Sequence, residues 1–151
     1  MKKYIGVKMI EAEPMTRETF NASKGAWMPK VDDCYKKAGY KVVYENGYVS
    51  WSPKEVFVKA YRRIDNMTFG LAIEAIKKGF KVQRKGWNGK GQYIELAMNV
   101  SYMNPDGKVV NVDHEQMGNV AIAFVGTSGV QLGWLASQAD MLSEDWQVVK
   151  P

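Results

Sequence analysis

Hydrophobic and polar residues alternate along much of the chain, in short runs separated by glycine-containing turns. In residues 40–51, YKVVYENGYVSW, β-branched and aromatic residues flank Asn46-Gly47, a pair that accepts the positive φ angles of a tight hairpin turn. A similar pattern surrounds the turn NGKG at residues 88–91 and the turn TSG at residues 127–129. Residues 4–15 read as a further strand that ends at Pro14. The pattern therefore predicts antiparallel strands joined by hairpins.

A helical period interrupts the alternation after Thr68, a residue type that caps helix N-termini. Lys77 and Lys78 suit the negative end of the helix dipole, and Gly79 marks the end of the helix. The apolar residues at helical spacing are Phe69, Ala72, Ile73 and Ile76.

Three further short helices are predicted from their capping residues. Thr16 begins the first, where its hydroxyl can accept from the backbone of Thr19. Ser52 is placed to cap the second, with Pro53 at the first helical position and Glu55 closing a capping box. The segment SQAD at residues 137–140 predicts the third. Together with the hairpins, these helices predict an α+β fold of antiparallel sheets and short helices.

Turn and helix-capping residues divide the sequence into two small units. The first covers residues 1–65 and ends after AYRRID, and the second covers residues 66–151 and opens with NMTFGLAIEAIKKG. The sequence gives no role for the first unit.

Composition and charge narrow the range of functions. The 151 residues are 46% hydrophobic and 25% charged, which is the balance of a folded domain. The net charge of +5 favours an anionic partner, but Lys and Arg are scattered, so nucleic acid is not the expected one. The single Cys34 excludes an internal disulfide and fits a reducing cytoplasm. Charged residues interrupt the first fifteen positions, so neither a signal peptide nor a membrane span is expected.

Residues suited to catalysis are few. The one histidine, His114, lies in the polar stretch NVDHEQMGN, and Cys34 has no second histidine to activate it. No spacing of His, Cys or carboxylate residues matches a metal site. The sequence therefore predicts a protein that is not an enzyme, with no catalytic residue, no metal and no cofactor.

The stretch RKGWNGKGQY, residues 84–93, admits two interpretations. In the first, Trp87 fills the core while Gly86 and Gly89 allow a tight hairpin. In the second, Trp87 offers a flat face to a base, the fork of Arg84 binds pyrophosphate, and the backbone N–H of Gly86 approaches a ligand. Asn88 would then donate and accept at a ribose or base edge. The residues alone leave both interpretations open.

Four features in this order resemble one phage family. They are Thr-Phe-Gly opening a helix, Arg-x-Gly-Trp-x-Gly on a hairpin, Trp followed by Ser-x-x-Asp, and a closing Glu-Asp-Trp. They lie in TFGLAIEAIKKGFKVQRKGWNGKGQYIEL and GWLASQADMLSEDWQVV, and the resemblance spans about residues 66–151. The family is that of the Thoeris anti-defence sponges of the second type. Its compact members lack a counterpart of residues 1–65.

The resemblance implies sequestration of a small molecule. Such sponges bind cyclic nucleotide immune signals, chiefly the glyco-cyclic ADP-ribose made by bacterial TIR-domain proteins, without cleaving them. It also implies a homotetramer with ligand pockets between subunits, acting in the cytoplasm of the infected bacterium. The ligand-binding positions that it implies here are Phe69, Arg84, Gly86, Trp87, Asn88, Trp134, Ser137 and Asp140. Asp145 and Trp146 also match the family pattern.

Two other functions fit the same residues. In one, Trp51, Trp87 and Trp134 form an apolar patch that binds a host protein. In the other, lysines and aromatic residues bind single-stranded nucleic acid, with an affinity that falls steeply with salt. A retained nucleotide, a stoichiometric host protein or salt-dependent oligonucleotide binding would distinguish the three.

Overall fold

A computed structural model describes residues 2–3, 5–25, 37–87 and 91–149. The chain divides into two compact units, Met1–Arg62 and Arg63–Pro151. Both contain antiparallel sheet and short helices, which confirms the predicted α+β class. Cys34 lies outside the described residues.

The first unit contains a three-stranded antiparallel sheet in the order β1-β2-β3. The turn between β2 and β3 uses Gly47 at a φ of 79°, and the N–H of Tyr44 donates to the carbonyl of Tyr48 at 2.9 Å, so the predicted hairpin is confirmed. The elements are β1 (Ile10–Pro14), α1 (Arg17–Ser23), β2 (Gly39–Tyr44), β3 (Val49–Pro53) and α2 (Lys54–Ala60).

Helix α2 packs on one face of this small sheet. Strand pairing places Tyr40 and Val42 on that face, where Val42 is buried. The ring of Phe57 in α2 stacks on Tyr40, with 4.0 Å between the centroids. Aromatic stacking and one buried valine therefore hold α2 to the sheet.

The predicted cap of α2 is wrong. Strand β3 continues through Pro53, and Ser52 pairs with Tyr40 of β2 instead of capping the helix. Helix α2 begins at Lys54 with no side-chain cap, and Pro53 occupies the N-cap position. Pairing with β2 keeps Ser52 in extended strand backbone, one position too early to cap this helix. By contrast, Thr16 caps α1 as predicted, by accepting from the N–H of Thr19 at 3.2 Å.

The second unit contains a five-stranded antiparallel sheet in the order β10-β4-β5-β8-β9, with β6 and β7 paired separately. Its elements are α3 (Phe69–Lys77), β4 (Val82–Arg84), β5 (Tyr93–Ala97), β6 (Ser101–Met103), β7 (Val109–Asn111), β8 (Ala121–Gly126), β9 (Gly129–Leu132), α4 (Gln138–Met141) and β10 (Trp146–Val148).

The predicted caps of α3 and α4 are confirmed. Thr68 Oγ1 accepts from the N–H of Leu71 at 3.5 Å, and the chain leaves α3 through Gly79 at a φ of 89°. Ser137 and Asp140 form a complete capping box at the start of α4. Each cap satisfies backbone donors that the helix itself leaves unpaired.

The core of the second unit lies between α3 and one face of the five-stranded sheet. Ala72, Ala75 and Ile76 are buried on α3. Val82, Ile94 and Trp146 meet them from the sheet, and all three are fully buried. Burial of one such aliphatic side chain stabilises the fold by about 1.5–3 kcal/mol. This core supports the candidate site at one end of the sheet.

Candidate ligand-binding site

Four aromatic side chains meet beside the core of the second unit, and we name them the aromatic cluster: Trp87, Phe124, Trp134 and Trp146. Trp87 forms a T-shaped pair with each of the other three rings, at centroid distances of 5.3 Å to Phe124, 5.4 Å to Trp146 and 6.0 Å to Trp134. Edge-to-face contact is a preferred geometry for aromatic pairs. Trp87 and Trp134 are half-buried, whereas Trp146 is fully buried.

The sheet places these rings together from distant parts of the sequence. Trp146 lies in β10 and pairs with Arg84 of β4, while Phe124 lies in β8 and pairs with Ile94 of β5. Directly paired residues share a face, so both rings lie on the face that α3 covers. After β9 the N–H groups of Gly133 and Trp134 both donate to the carbonyl of Ile122 at 3.0 Å, which turns the chain towards the cluster.

A polar network lies next to the cluster, and we name it the arginine–aspartate network: Arg84, Ser137, Asp140 and Asp145. Arg84 donates from Nε to Asp145 Oδ1 at 2.9 Å and from Nη1 to Asp140 Oδ1 at 3.0 Å. Ser137 Oγ donates to Asp140 Oδ2 at 2.6 Å. These bonds join β4, α4 and the residue before β10.

The network keeps its three charged groups ionised. Hydrogen bonds to Asp145 and Asp140 raise the pKa of Arg84 above its ordinary value. Burial works against the charge on Asp140, but its hydrogen bonds to Ser137 and Arg84 outweigh that effect and lower its pKa. The bond from Arg84 lowers the pKa of Asp145, with a further contribution from the backbone N–H of Gly86. One positive and two negative charges leave the network with a net negative charge.

The network and the cluster are connected directly. The indole Nε1 of Trp146 donates to the backbone carbonyl of Asp140 at 3.0 Å, so the buried ring is fixed to the turn of α4. Trp146 in turn packs against Trp87 and Trp134. The polar network therefore fixes the ring against which the two half-buried indoles rest.

The structure distributes the predicted site residues between these two groups. Trp87 and Trp134 lie in the aromatic cluster, and Phe69 contacts its buried side through Trp146, at 5.5 Å between centroids. Arg84, Ser137 and Asp140 form the network together with Asp145. Asn88 and Gly89 lie outside the described residues.

Two groups predicted to contact ligand already have partners within the chain. The guanidinium of Arg84 is bound by two carboxylates, and the backbone of Gly86 lies next to Asp145, whose pKa it helps to lower. A third group, the carboxylate of Asp140, is shared between Arg84 and Ser137. In this arrangement the three residues position the aromatic cluster.

Sequence reasoning missed Phe124 and did not count Asp145 among the ligand-binding residues. Phe124 stands in the apolar run VAIAFVG, where nothing local separates a site residue from a core residue. Asp145 matched the resemblance, and its place immediately before Trp146 was the available signal. Pairing with Arg84 was not visible, because it depends on the register of β10 with β4.

Two kinds of structure are absent from the described ranges. Within residues 2–3, 5–25, 37–87 and 91–149, no three His, Cys, Asp or Glu residues are grouped in a way that could hold a metal ion. Over the same ranges, no helix has the length and apolar character needed to cross a membrane.

Comparison with known proteins gives two matches to this part of the chain. Residues 67–149 match the family model of the Thoeris anti-defense 2-like domain. A Bacillus phage SP01 protein named Thoeris anti-defense 2 is 35% identical over 86 residues, which cover 55% of this chain and 94% of that protein. The aromatic cluster and the arginine–aspartate network lie entirely within the matched range.

Proposed function

This chain belongs, through residues 67–149, to the Thoeris anti-defense 2-like family of phage proteins, and from that membership we propose that it captures a small immune signal. The signal is a cyclic nucleotide of the glyco-cyclic ADP-ribose type, and the protein holds it inside the infected bacterium without cleaving it. The resemblance seen in the sequence is confirmed by both matches.

The observation that carries this proposal is the fixed, half-buried pair Trp87 and Trp134. A purine base needs a flat apolar face, and stacking on an aromatic side chain contributes about 1–3 kcal/mol per base. Trp146 and Phe124 hold Trp87 in one orientation by edge-on contacts. The indole faces are therefore arranged before a ligand arrives.

Preorganisation suits sequestration. A binder of this kind needs affinity and no chemical step. Its free energy of binding is more favourable when fewer side chains lose conformational freedom on binding. Arg84 and Asp140 are already hydrogen-bonded in the arginine–aspartate network next to the cluster, so these side chains need no ordering when a ligand binds. In this proposal Trp87, Trp134 and Phe69 supply apolar contact, Asn88 supplies a polar contact, and Arg84, Gly86, Ser137 and Asp140 hold the geometry.

We propose that copies of the chain associate through one face of the sheet, in a homotetramer. The sheet face opposite α3 carries Ala123 and Leu132 at one paired position and Val125 and Val130 at another. Val130 is 65% exposed and Leu132 is 52% exposed, both on the edge strand β9. Exposed apolar residues grouped on one face are typical of protein interfaces, so this face is suited to contact between copies of the chain.

The proposed function is tested by recovering the ligand. The purified full chain is incubated with lysate from bacteria that carry an active TIR-domain immune system, repurified and heated, and the released small molecules are identified by mass spectrometry. We expect an intact cyclic nucleotide in stoichiometric amount. A hydrolysed product would show an enzyme, and a co-purifying host protein without nucleotide would show the protein-binding module; either result overturns the proposal.

A further inference from the structure

The excess positive charge of this protein lies entirely in its first unit. Residues 1–62 contain twelve basic and seven acidic residues, whereas residues 63–151 contain nine of each. The net charge of +5 therefore belongs to a segment that the family match at residues 67–149 does not include. The division comes from Lys and Arg, which make up twelve of the 62 residues in the first unit and nine of the 89 residues in the second.

One face of the first unit carries five aromatic rings in sequence, and we name them the tyrosine row: Tyr48, Tyr44, Tyr61, Phe57 and Tyr40. Centroid distances are 5.8 Å from Tyr44 to Tyr48, 5.0 Å from Phe57 to Tyr61 and 4.0 Å from Tyr40 to Phe57. Burial and the neighbouring side chain of Tyr44 raise the pKa of Tyr61, which lies between the two halves of the row. Tyr48, at one end, is 63% exposed.

A groove of about 450 Å³ opens at the exposed end of this row. The Nζ of Lys8 stands 5.6 Å from the ring centroid of Tyr44, above the ring face. A planar base can stack on an exposed tyrosine while an ammonium group contacts its phosphate. The residues that line the groove are Lys8, Met9, Tyr44, Glu45, Asn46 and Tyr48.

Basic residues accompany the row to its other end. The N–H of Arg17 donates to the carbonyl of Lys37 at 3.2 Å, and the N–H of Lys54 donates to the carbonyl of Ala38 at 3.1 Å, so three basic residues meet there. Their side chains are exposed, and none of the three forms an ion pair within the described part of the chain. The guanidinium of Arg17 lies 5.8 Å from the ring centroid of Trp51, which pairs with Lys41 and so lies on the face opposite Tyr40. Lys37 and Lys54 are therefore the cations at this end of the row. Lys59 and Arg62 are exposed along and just beyond α2.

The acidic residues of β1 lie on the opposite face of the sheet. Glu13 pairs with Lys41, and Glu11 pairs with Val43, both positions that alternate with Tyr40 and Tyr44. Glu13 is also neutralised by Lys41, at 2.8 Å. The side of the sheet that carries the tyrosine row is therefore kept clear of the two carboxylates of this strand.

We propose that residues 1–62 form a binding surface for single-stranded nucleic acid, a function separate from capture of the immune signal. An unpaired nucleotide presents a base that can stack on Tyr48, the exposed ring at the end of the row, and a phosphate that the flanking Lys side chains contact. Double-stranded nucleic acid lacks the exposed base faces, and an anionic membrane has no planar group for the groove. The exposed ring of Tyr48, with exposed lysines at both ends of the row, therefore favours a single strand.

The test measures binding of the full chain to a fluorescent oligothymidylate of about 15 nucleotides, a length within the range that one small domain covers. Fluorescence anisotropy is followed at several NaCl concentrations. With about three to five phosphates contacted, the logarithm of the association constant should fall with the logarithm of salt at a slope of about −2 to −3.5. Tyr48→Ser should weaken binding about ten-fold or more, and Lys54→Glu should both weaken it and make the salt slope shallower.

Matched variants in the second unit serve as controls. Tyr102 is 56% exposed, so Tyr102→Ser removes a comparable surface tyrosine, and Lys108→Glu makes the same charge change at another exposed lysine. Both should bind the oligonucleotide within about two-fold of the unchanged chain, as expected for surface changes away from a site. Capture of the immune signal by Tyr48→Ser should be unchanged.

Three results overturn the proposal. They are no binding at low salt, equal losses in the control variants, and binding to anionic lipid vesicles with none to the oligonucleotide. If the protein still captures the cyclic nucleotide in these cases, only the proposal for residues 1–62 is wrong. Loss of nucleotide capture would instead contradict the proposed function of the second unit.

Discussion

Nε of Arg84 lies 2.9 Å from Oδ1 of Asp145, although the two residues are 61 positions apart in the chain. This contact, with the second bond from Arg84 to Asp140, joins the end of β4 to the segment that leads into β10. Arg84, which the sequence suggested as a ligand for an anion, therefore holds two carboxylates of the same chain. Much of the expected behaviour of the second unit follows from it.

Removing the guanidinium should destabilise the protein. Arg84→Ala leaves two partly buried carboxylates without their partner, and we expect a loss of about 2 kcal/mol in the free energy of unfolding, because hydrogen bonds to charged groups carry about 1.5–3 kcal/mol. Urea denaturation at neutral pH measures it. Arg63→Ala is the control, since Arg63 and Asp65 form an ion pair of 2.7 Å whose side chains are 84% and 48% exposed. An exposed pair contributes at most about 1 kcal/mol, so equal losses would contradict the structural role of Arg84.

Stability should fall in acid through Asp140 and Asp145. Both carboxyl groups have a pKa below their usual value near 3.8 in the folded protein. The unfolded chain then binds more protons than the folded chain as pH falls below about 5, so the stabilisation present at neutral pH is lost through the folded pKa values. Unfolding free energies measured from about pH 6 to about pH 3 should show this decline. The double variant Asp140→Asn, Asp145→Asn should show a shallower decline, and an unchanged slope would exclude these groups as its source.

Trp87→Leu should abolish most ligand capture while preserving apolar packing in the aromatic cluster. The substitution removes the flat face, and we expect at least about ten-fold weaker retention of the nucleotide, from a stacking contribution of about 1–3 kcal/mol. Isothermal titration with the purified signal measures the change. Trp51→Leu removes an indole from the first unit, where its Nε1 donates to the carbonyl of Met15 at 2.8 Å. Capture should be unchanged in that control, and full capture by Trp87→Leu would show that the cluster is structural only.

Gly39→Ala should destabilise the first unit. A Cβ at this position would meet the ring of Trp51 and the backbone oxygen of Ser52, neither of which can move without disturbing the pairing of β2 with β3. Overpacking of this kind costs about 1–3 kcal/mol, and thermal unfolding measures it. Gly6→Ala is the control, because a Cβ at residue 6 meets no atom within 4 Å. If both variants have the melting temperature of the unchanged chain, the close packing inferred at Gly39 is wrong.

Local sequence was sufficient to predict the features that depend on neighbouring residues. Asn46-Gly47 specified a hairpin, Thr68 specified the start of α3, and Ser137 with Asp140 specified the cap of α4, because each device works across two to four positions of backbone. The ordered motifs from Thr68 to Trp146 also identified the family. Each of these needed no knowledge of how strands pair.

Which distant residues meet, and which face each one occupies, followed from the folded arrangement of the strands. Ser52 had the sequence of a helix cap, but pairing with Tyr40 keeps it in a strand. Arg84 had the sequence of an anion ligand, but the register of β10 with β4 brings Asp145 to it. Strand register and packing are set by the sum of many non-local contacts, and a shift of one residue would reverse the face of every side chain. For that reason local patterns predicted the elements, whereas the partners of Arg84 and the alignment of the tyrosine row emerged from the fold.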